Sequence, residues 1–139
     1  MSGSSKVFLL QGQIKRVSND KKVVLIVDES ILIVERMIHL LEELEHIQVI
    51  LHASSYNEAM DIIQEVEPDI VLLDIYLPDK LGFELLKRIR EEYPSIEVSV
   101  VTNYVSDHYR TICLKIGAKD FFDKSKDFDL IPKRIFNTT

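Results

Sequence analysis

The chain has 139 residues, 46% hydrophobic and 29% charged, enough for one domain with a real core and too few for two. Its formal charge of -6 argues against a nucleic-acid surface on this chain, because phosphate binding needs a basic face. A single cysteine, Cys113, excludes an internal disulfide, and neither a signal peptide nor an apolar run near the ~18–20 residues of a membrane span occurs, so a cytoplasmic location is expected.

Residues 1–21 read as an N-terminal extension with a small polar start, in which Val7–Leu10, Ile14 and Val17 allow a short strand or hairpin. Residues 22–139 read as the domain itself. Val23–Val27 is an unbroken apolar run that closes on Asp28 and Glu29, as a strand covered on both faces does. A helix follows, with Ile31, Val34, Ile38, Leu41 and Leu44 as its apolar stripe. Gln48–Ala53 is a second strand. Ser55 and Glu58 then fit a capping box that opens the next helix, whose buried side is Ala59, Ile62, Ile63 and Val66 and which Pro68 ends. Ile70–Ile75 is a third strand, interrupted only by Asp74; the turn signal Pro78-Asp79 and a helix from near Gly82 to before Pro94 follow it. Ile96–Val101 is a fourth strand, ending in Thr102-Asn103. A helix over about 106–116 offers Tyr109, Ile112, Cys113 and Ile116 as its apolar face and stops at Gly117, a natural left-handed cap. Lys119–Asp123 is a fifth strand ending at Lys124. Asp127–Phe136 reads as the last helix, which Pro132 permits only if it starts nearby or bends.

Strands alternating with helices must run parallel, so the chain predicts a doubly wound α/β fold with three α/β/α layers and strand order 2-1-3-4-5. The carboxyl ends of strands 1 and 3 then meet at the switch point, which gathers Asp28, Glu29 and Asp74. Three carboxylates repel unless a cation sits among them, and oxygen ligands without histidine or cysteine point to a hard ion, Mg2+ first. Strands 4 and 5 add Thr102 and Lys124, a hydroxyl and an ammonium of the kind that steady a phosphoryl group on a carboxylate. Asp74, the acid most enclosed by apolar sequence, is the candidate nucleophile. Taken singly, each has a bland reading: loop-capping acids, a surface lysine, a strand threonine. Their concurrence at matching strand ends favours the chemistry. His39, His46, His52 and His108 lack metal-ligand spacing, and Cys113 reads as an inert small hydrophobe.

Val24-Leu-Ile-Val-Asp28-Glu29-Ser30, the stretch Asp69 to Glu84 around Asp74, Val100-Val-Thr102-Asn103 and Gly117-Ala-Lys-Asp-Phe-Phe-Asp-Lys124-Ser125 occur in order after the expected strands. Together they make residues 22–136 resemble the receiver domain of bacterial two-component response regulators, whose fold is flavodoxin-like. The resemblance implies that Asp74 takes a phosphoryl group from a histidine kinase or phosphotransfer protein. It implies that Asp28, Glu29, Asp74 and the backbone carbonyl of Tyr76 hold Mg2+, and that Thr102 and Lys124 bind phosphoryl oxygens. Thr102 and Phe121 would form a switch pair, which changes the face of helix 4, strand 5 and helix 5 for a downstream protein. Tyr109, Cys113 and Phe121 would lie on or near that face. A monomer or a phosphorylation-dependent dimer, with no nucleic acid or membrane bound directly, is implied as well.

Several positions depart from the family pattern. Glu29 stands where a second aspartate is common, and Ser125 where proline is frequent. Tyr76 and Tyr104 are bulky beside the acceptor and are expected to restrict the attacking water. A receiver-like interaction module independent of phosphorylation is the alternative. An aspartate-nucleophile phosphohydrolase is disfavoured because Tyr76 occupies the position of its usual second acid. No output domain follows the last helix, which suits a single-domain regulator or a receiver taken from a longer protein.

Overall fold

The structure, a computed structural model, describes residues 21–135, so the strand or hairpin expected before Lys21 lies outside the described residues. Five parallel strands, β1 (Lys22–Val27), β2 (Ile47–Ala53), β3 (Ile70–Leu73), β4 (Glu97–Thr102) and β5 (Asp120–Asp123), form one sheet in the order β2-β1-β3-β4-β5. The helices are α1 (Ile31–Leu41), α2 (Tyr56–Val66), α3 (Gly82–Glu92), α4 (Asp107–Ile116) and α5 (Ile131–Ile135).

Side chains along a strand alternate between faces, and the core divides accordingly. Val23, Leu25 and Val27 pack with α2, α3 and α4 residues, whereas Val24 and Ile26 pack with α1 and α5. Phe121 and Phe122 part in the same way. Both faces are covered, which is why the strands read as continuous apolar runs.

Local chemistry sets the helix ends. Ser55 Oγ accepts from the N–H of Glu58, as expected, but the Glu58 carboxylate reaches Ser54 N (2.8 Å) instead of closing the box on Ser55. Glu67, ahead of Pro68, ends α2 in the left-handed region (φ 49°), since the proline ring disfavours the helical alternative. Gly117 ends α4 at φ 130°, and a Cβ there would stand 2.5 Å from Arg90 Cδ. Pro132 is the second residue of α5, where a missing N–H breaks no helical bond, and a 3-10 turn (Phe128–Leu130) fills the preceding stretch.

Two expectations are corrected. The buried stripe of α1 is Val34, Met37 and Leu41, while Ile31 and Leu32 in its first turn are 58% and 78% exposed. The helix stops at Leu41, so Leu44 belongs to the following turn. Cys113, expected on the apolar face of α4, is buried against the sheet, and burial pushes its thiol up to about 11.

Candidate functional site at the carboxyl edge of the sheet

Asp28, Asp74 and Lys124 each stand one residue past a strand, held by one further rung of the ladder. Asp28 N donates to Ala53 O (3.0 Å), Asp74 N to Val27 O (3.0 Å) and Lys124 N to Thr102 O (2.9 Å). Their side chains therefore leave the same edge of the sheet with little freedom. Lys124 is steadied further by the turn that follows, in which Asp123 Oδ1 accepts from Ser125 N (2.8 Å) and Ser125 Oγ (2.7 Å).

The structure brings Lys124 Nζ within 2.6 Å of Asp28 Oδ2 and 3.2 Å of Asp74 Oδ2. All three residues are buried, with Asp28 at 2%, Asp74 at 8% and Lys124 at 7% exposure. The other oxygen of Asp28 accepts from Ser30 N (2.9 Å), but Asp74 Oδ1 is buried with no hydrogen-bond partner. Burial pushes the Asp74 carboxyl above its ordinary value; Lys124 pulls against that, Asp28 adds to it, and the Thr102 hydroxyl opposes it. A buried carboxylate with an unsatisfied oxygen is costly, and such costs gather where a fold reserves an atom for chemistry.

A cavity of about 350 Å³ opens over this cluster, lined by Asp28, Glu29, Ser30, Asp74, Tyr76, Asn103, Tyr104 and Lys124. Glu29 is exposed on its wall and stands apart from the inner pair. Thr102 lies fully buried at the end of β4, its Oγ1 accepting from Tyr104 N (3.1 Å). The rings of Tyr76 and Tyr104 meet at 4.1 Å between centroids, and the Tyr76 and Tyr109 hydroxyls are 3.1 Å apart. The bond to Tyr109 holds the Tyr76 phenol above its usual value. Phe121 is buried in the core, with the Arg110 guanidinium 4.9 Å from its ring centroid.

Among the described residues no three His, Cys, Asp or Glu side chains gather closely enough to hold a metal by themselves. The donor set nevertheless fits Mg2+, which takes one or two protein carboxylates and keeps several waters. Two acids sit at hydrogen-bond range of one ammonium, Glu29 faces the same cavity, and Asp74 Oδ1 lacks any donor. Three carboxylates against one ammonium leave a local deficit of two positive charges.

Two contacts escaped the sequence reading. His52 Nε2 donates to the carbonyl of Asp28 (3.0 Å) from the neighbouring strand β2. The Asp79 carboxylate accepts from Tyr56 N (2.9 Å) and Asn57 N (3.0 Å) at the start of α2. Neither has a local signal, because the partners lie 24 and 22–23 residues away.

Residues 24–136 match the family described as the response regulator receiver domain. The transcriptional regulatory protein YdfI of Bacillus subtilis is 31% identical over 115 residues, 83% of this chain and 52% of that protein. Response regulator GacA of Pseudomonas viridiflava is 31% identical over 101 residues, 73% of this chain and 47% of that protein. The crystal structure of a CheY-like response regulator receiver domain protein from Methanospirillum hungatei JF-1 has a TM-score of 0.74 at 29% identity, covering 83% of this chain and 90% of that one. The chain spans about half the length of the curated relatives it matches.

Proposed function

This chain belongs to the response regulator receiver family, and from that premise we propose that it is a phosphorylation-dependent switch with Asp74 as phosphoacceptor. The observation that carries the reading is the buried Asp74 carboxylate, with Oδ1 free of donors beneath an open cavity and Oδ2 3.2 Å from Lys124 Nζ. An Asp74 oxygen attacks phosphorus, the bond to the donor's histidine nitrogen or acetyl oxygen breaks, and the leaving group departs with the electron pair. Lys124 compensates charge on the acceptor and on a phosphoryl oxygen; Thr102 donates its hydroxyl to another. Asp28, Glu29, Asp74 and the Tyr76 carbonyl would hold Mg2+, which when bound neutralises phosphoryl charge. Tyr76 and Tyr104 narrow the mouth and restrict the water that would reverse the reaction.

The donor is a histidine kinase or phosphotransfer protein, and the output is a contact of the α4–β5–α5 face with a downstream protein, without catalysis on a free substrate. YdfI's name, a transcriptional regulatory protein, supports transcription as the process that the switch controls. Intact mass after incubation with acetyl phosphate and Mg2+ tests the reading: wild type gains ~80 Da and Asp74→Asn nothing. A wild-type mass that does not shift favours instead an interaction module that works without phosphate.

A further inference from the structure

The segment between β3 and α3 is a small hairpin. Tyr76 and Leu81 pair as an antiparallel bridge, and Gly82 N donates to the carbonyl of Ile75 at its base. Asp79, at the tip, points away from the acceptor cavity to the first turn of α2. There its two carboxylate oxygens take one N–H each, from Tyr56 and Asn57. Ser55 already serves the third N–H of that turn, Glu58 N, at 3.1 Å, and Ser55 O receives Ala59 N at 3.0 Å. Thus Ser55 caps α2 at Glu58 N, while the Tyr56 and Asn57 N–H groups are met by Asp79, which binds a second element to the helix. Lys80 Nζ, 4.6 Å over the Tyr56 ring, lies beside the same junction.

We propose that Asp79 is a positioning residue for the acceptor site: by fastening the hairpin tip to the α2 N-terminus it fixes the Tyr76 main chain at the rim of the Asp74 cavity. The proposal rests on the reading of that cavity as a phosphoryl and Mg2+ site. A carboxylate suits the site, because its two oxygens meet the two α2 N–H groups separately while Oδ1 also accepts from Lys80 N (3.1 Å). An asparagine offers one oxygen and turns its NH2 towards the other donor. The Asp79 carboxyl is exposed; desolvation pushes it up, and the N–H groups of Tyr56, Asn57, Asp79 and Lys80 together outweigh that and keep it below the usual carboxylate range.

The test compares Asp79→Asn and Asp79→Ala with Ser55→Ala, which cuts the local cap of α2 and leaves the hairpin tied. Mg2+ is titrated by tyrosine fluorescence, since the chain has five tyrosines and no tryptophan, and phosphoryl uptake from acetyl phosphate is followed at limiting and saturating Mg2+. Both Asp79 variants are expected to raise the half-saturating Mg2+ concentration about tenfold while the rate at saturation stays near wild type. Ser55→Ala is expected to lower the melting temperature with wild-type Mg2+ dependence. If Asp79→Asn also keeps wild-type Mg2+ dependence, Asp79 is a helix cap and nothing more. Should wild type take up neither Mg2+ nor phosphoryl, the proposed function falls, and amide hydrogen exchange still decides the clamp. Faster exchange over residues 76–82 in Asp79→Asn, absent in Ser55→Ala, upholds it; unchanged exchange there overturns it.

Discussion

Asp74 bears the conflict on which the site depends. Burial and the neighbouring Asp28 favour its neutral form, Lys124 favours the charged one, and the balance leaves the carboxyl raised. A carboxyl whose folded pKa exceeds its unfolded one withdraws stability above the folded value and returns it as pH falls through that value. Asp74→Asn keeps the shape and removes the charge, so it should gain about 1 kcal/mol at neutral pH, with the gain shrinking as the pH is lowered. Urea midpoints at two pH values check both signs, and a variant no more stable than wild type at neutral pH would contradict the account. Asp74, Asp28, Thr102 and Lys124 were legible in the sequence because the first three close or follow an apolar run and Lys124 follows the last strand, so strand order alone brings them together. Asp79 and His52 were not, since their partners come from other elements and no spacing records them.

At the scale of elements, the junction of β3 and α3 leaves no room for change. A Cβ on Gly82 would collide with the carbonyl oxygen of Asp74 and stand 2.9 Å from Ile75 Cα. Both are backbone atoms, so no side chain can yield. Gly82→Ala is expected to cost about 2–3 kcal/mol, typical of forced overpacking, and to displace Asp74 with its strand end. Thermal unfolding measures the cost, and phosphoryl uptake should fall with it; a variant of wild-type stability and rate would refute the contact. The existence and type of every described strand and helix were readable from period and punctuation. Ends were less so. The α1 stripe was right at Val34 and Leu41 but took in Ile31 and missed Met37, because the two are equally apolar and only the sheet below decides which of them it covers. Cys113 fell where the apolar face of its helix was expected, with Tyr109, Ile112 and Ile116 half-buried beside it.

Across the whole molecule, a signal that begins at Asp74, as proposed, would have few ways out. Strand β3, which leads to Asp74, is paired on both sides along its length, so the sheet transmits little motion. The helices differ in how firmly they are held. Three residues of α1, five of α2 and four of α3 are buried, against Cys113 alone in α4. What else retains α4 is half-buried or polar: Tyr109 and Ile116 at the border of the core, the Ser106 cap, the Arg110 bond to the Phe121 carbonyl at 3.2 Å, and the Tyr109–Tyr76 hydroxyl pair. Such contacts can be exchanged at small cost, whereas extracting core side chains costs about 1.5–3 kcal/mol each. Thr102 ends the strand that leads into this helix, and its Oγ1 already accepts from Tyr104 in the connecting loop. On the proposed function, a phosphoryl group that draws the Thr102 hydroxyl away would give up that bond and loosen the loop and α4 together. Amide exchange should therefore be fastest in α4 among these four helices, and beryllofluoride with Mg2+ should alter it there before α1, α2 or α3 respond. Protection of α4 equal to that of α2 would place the output elsewhere.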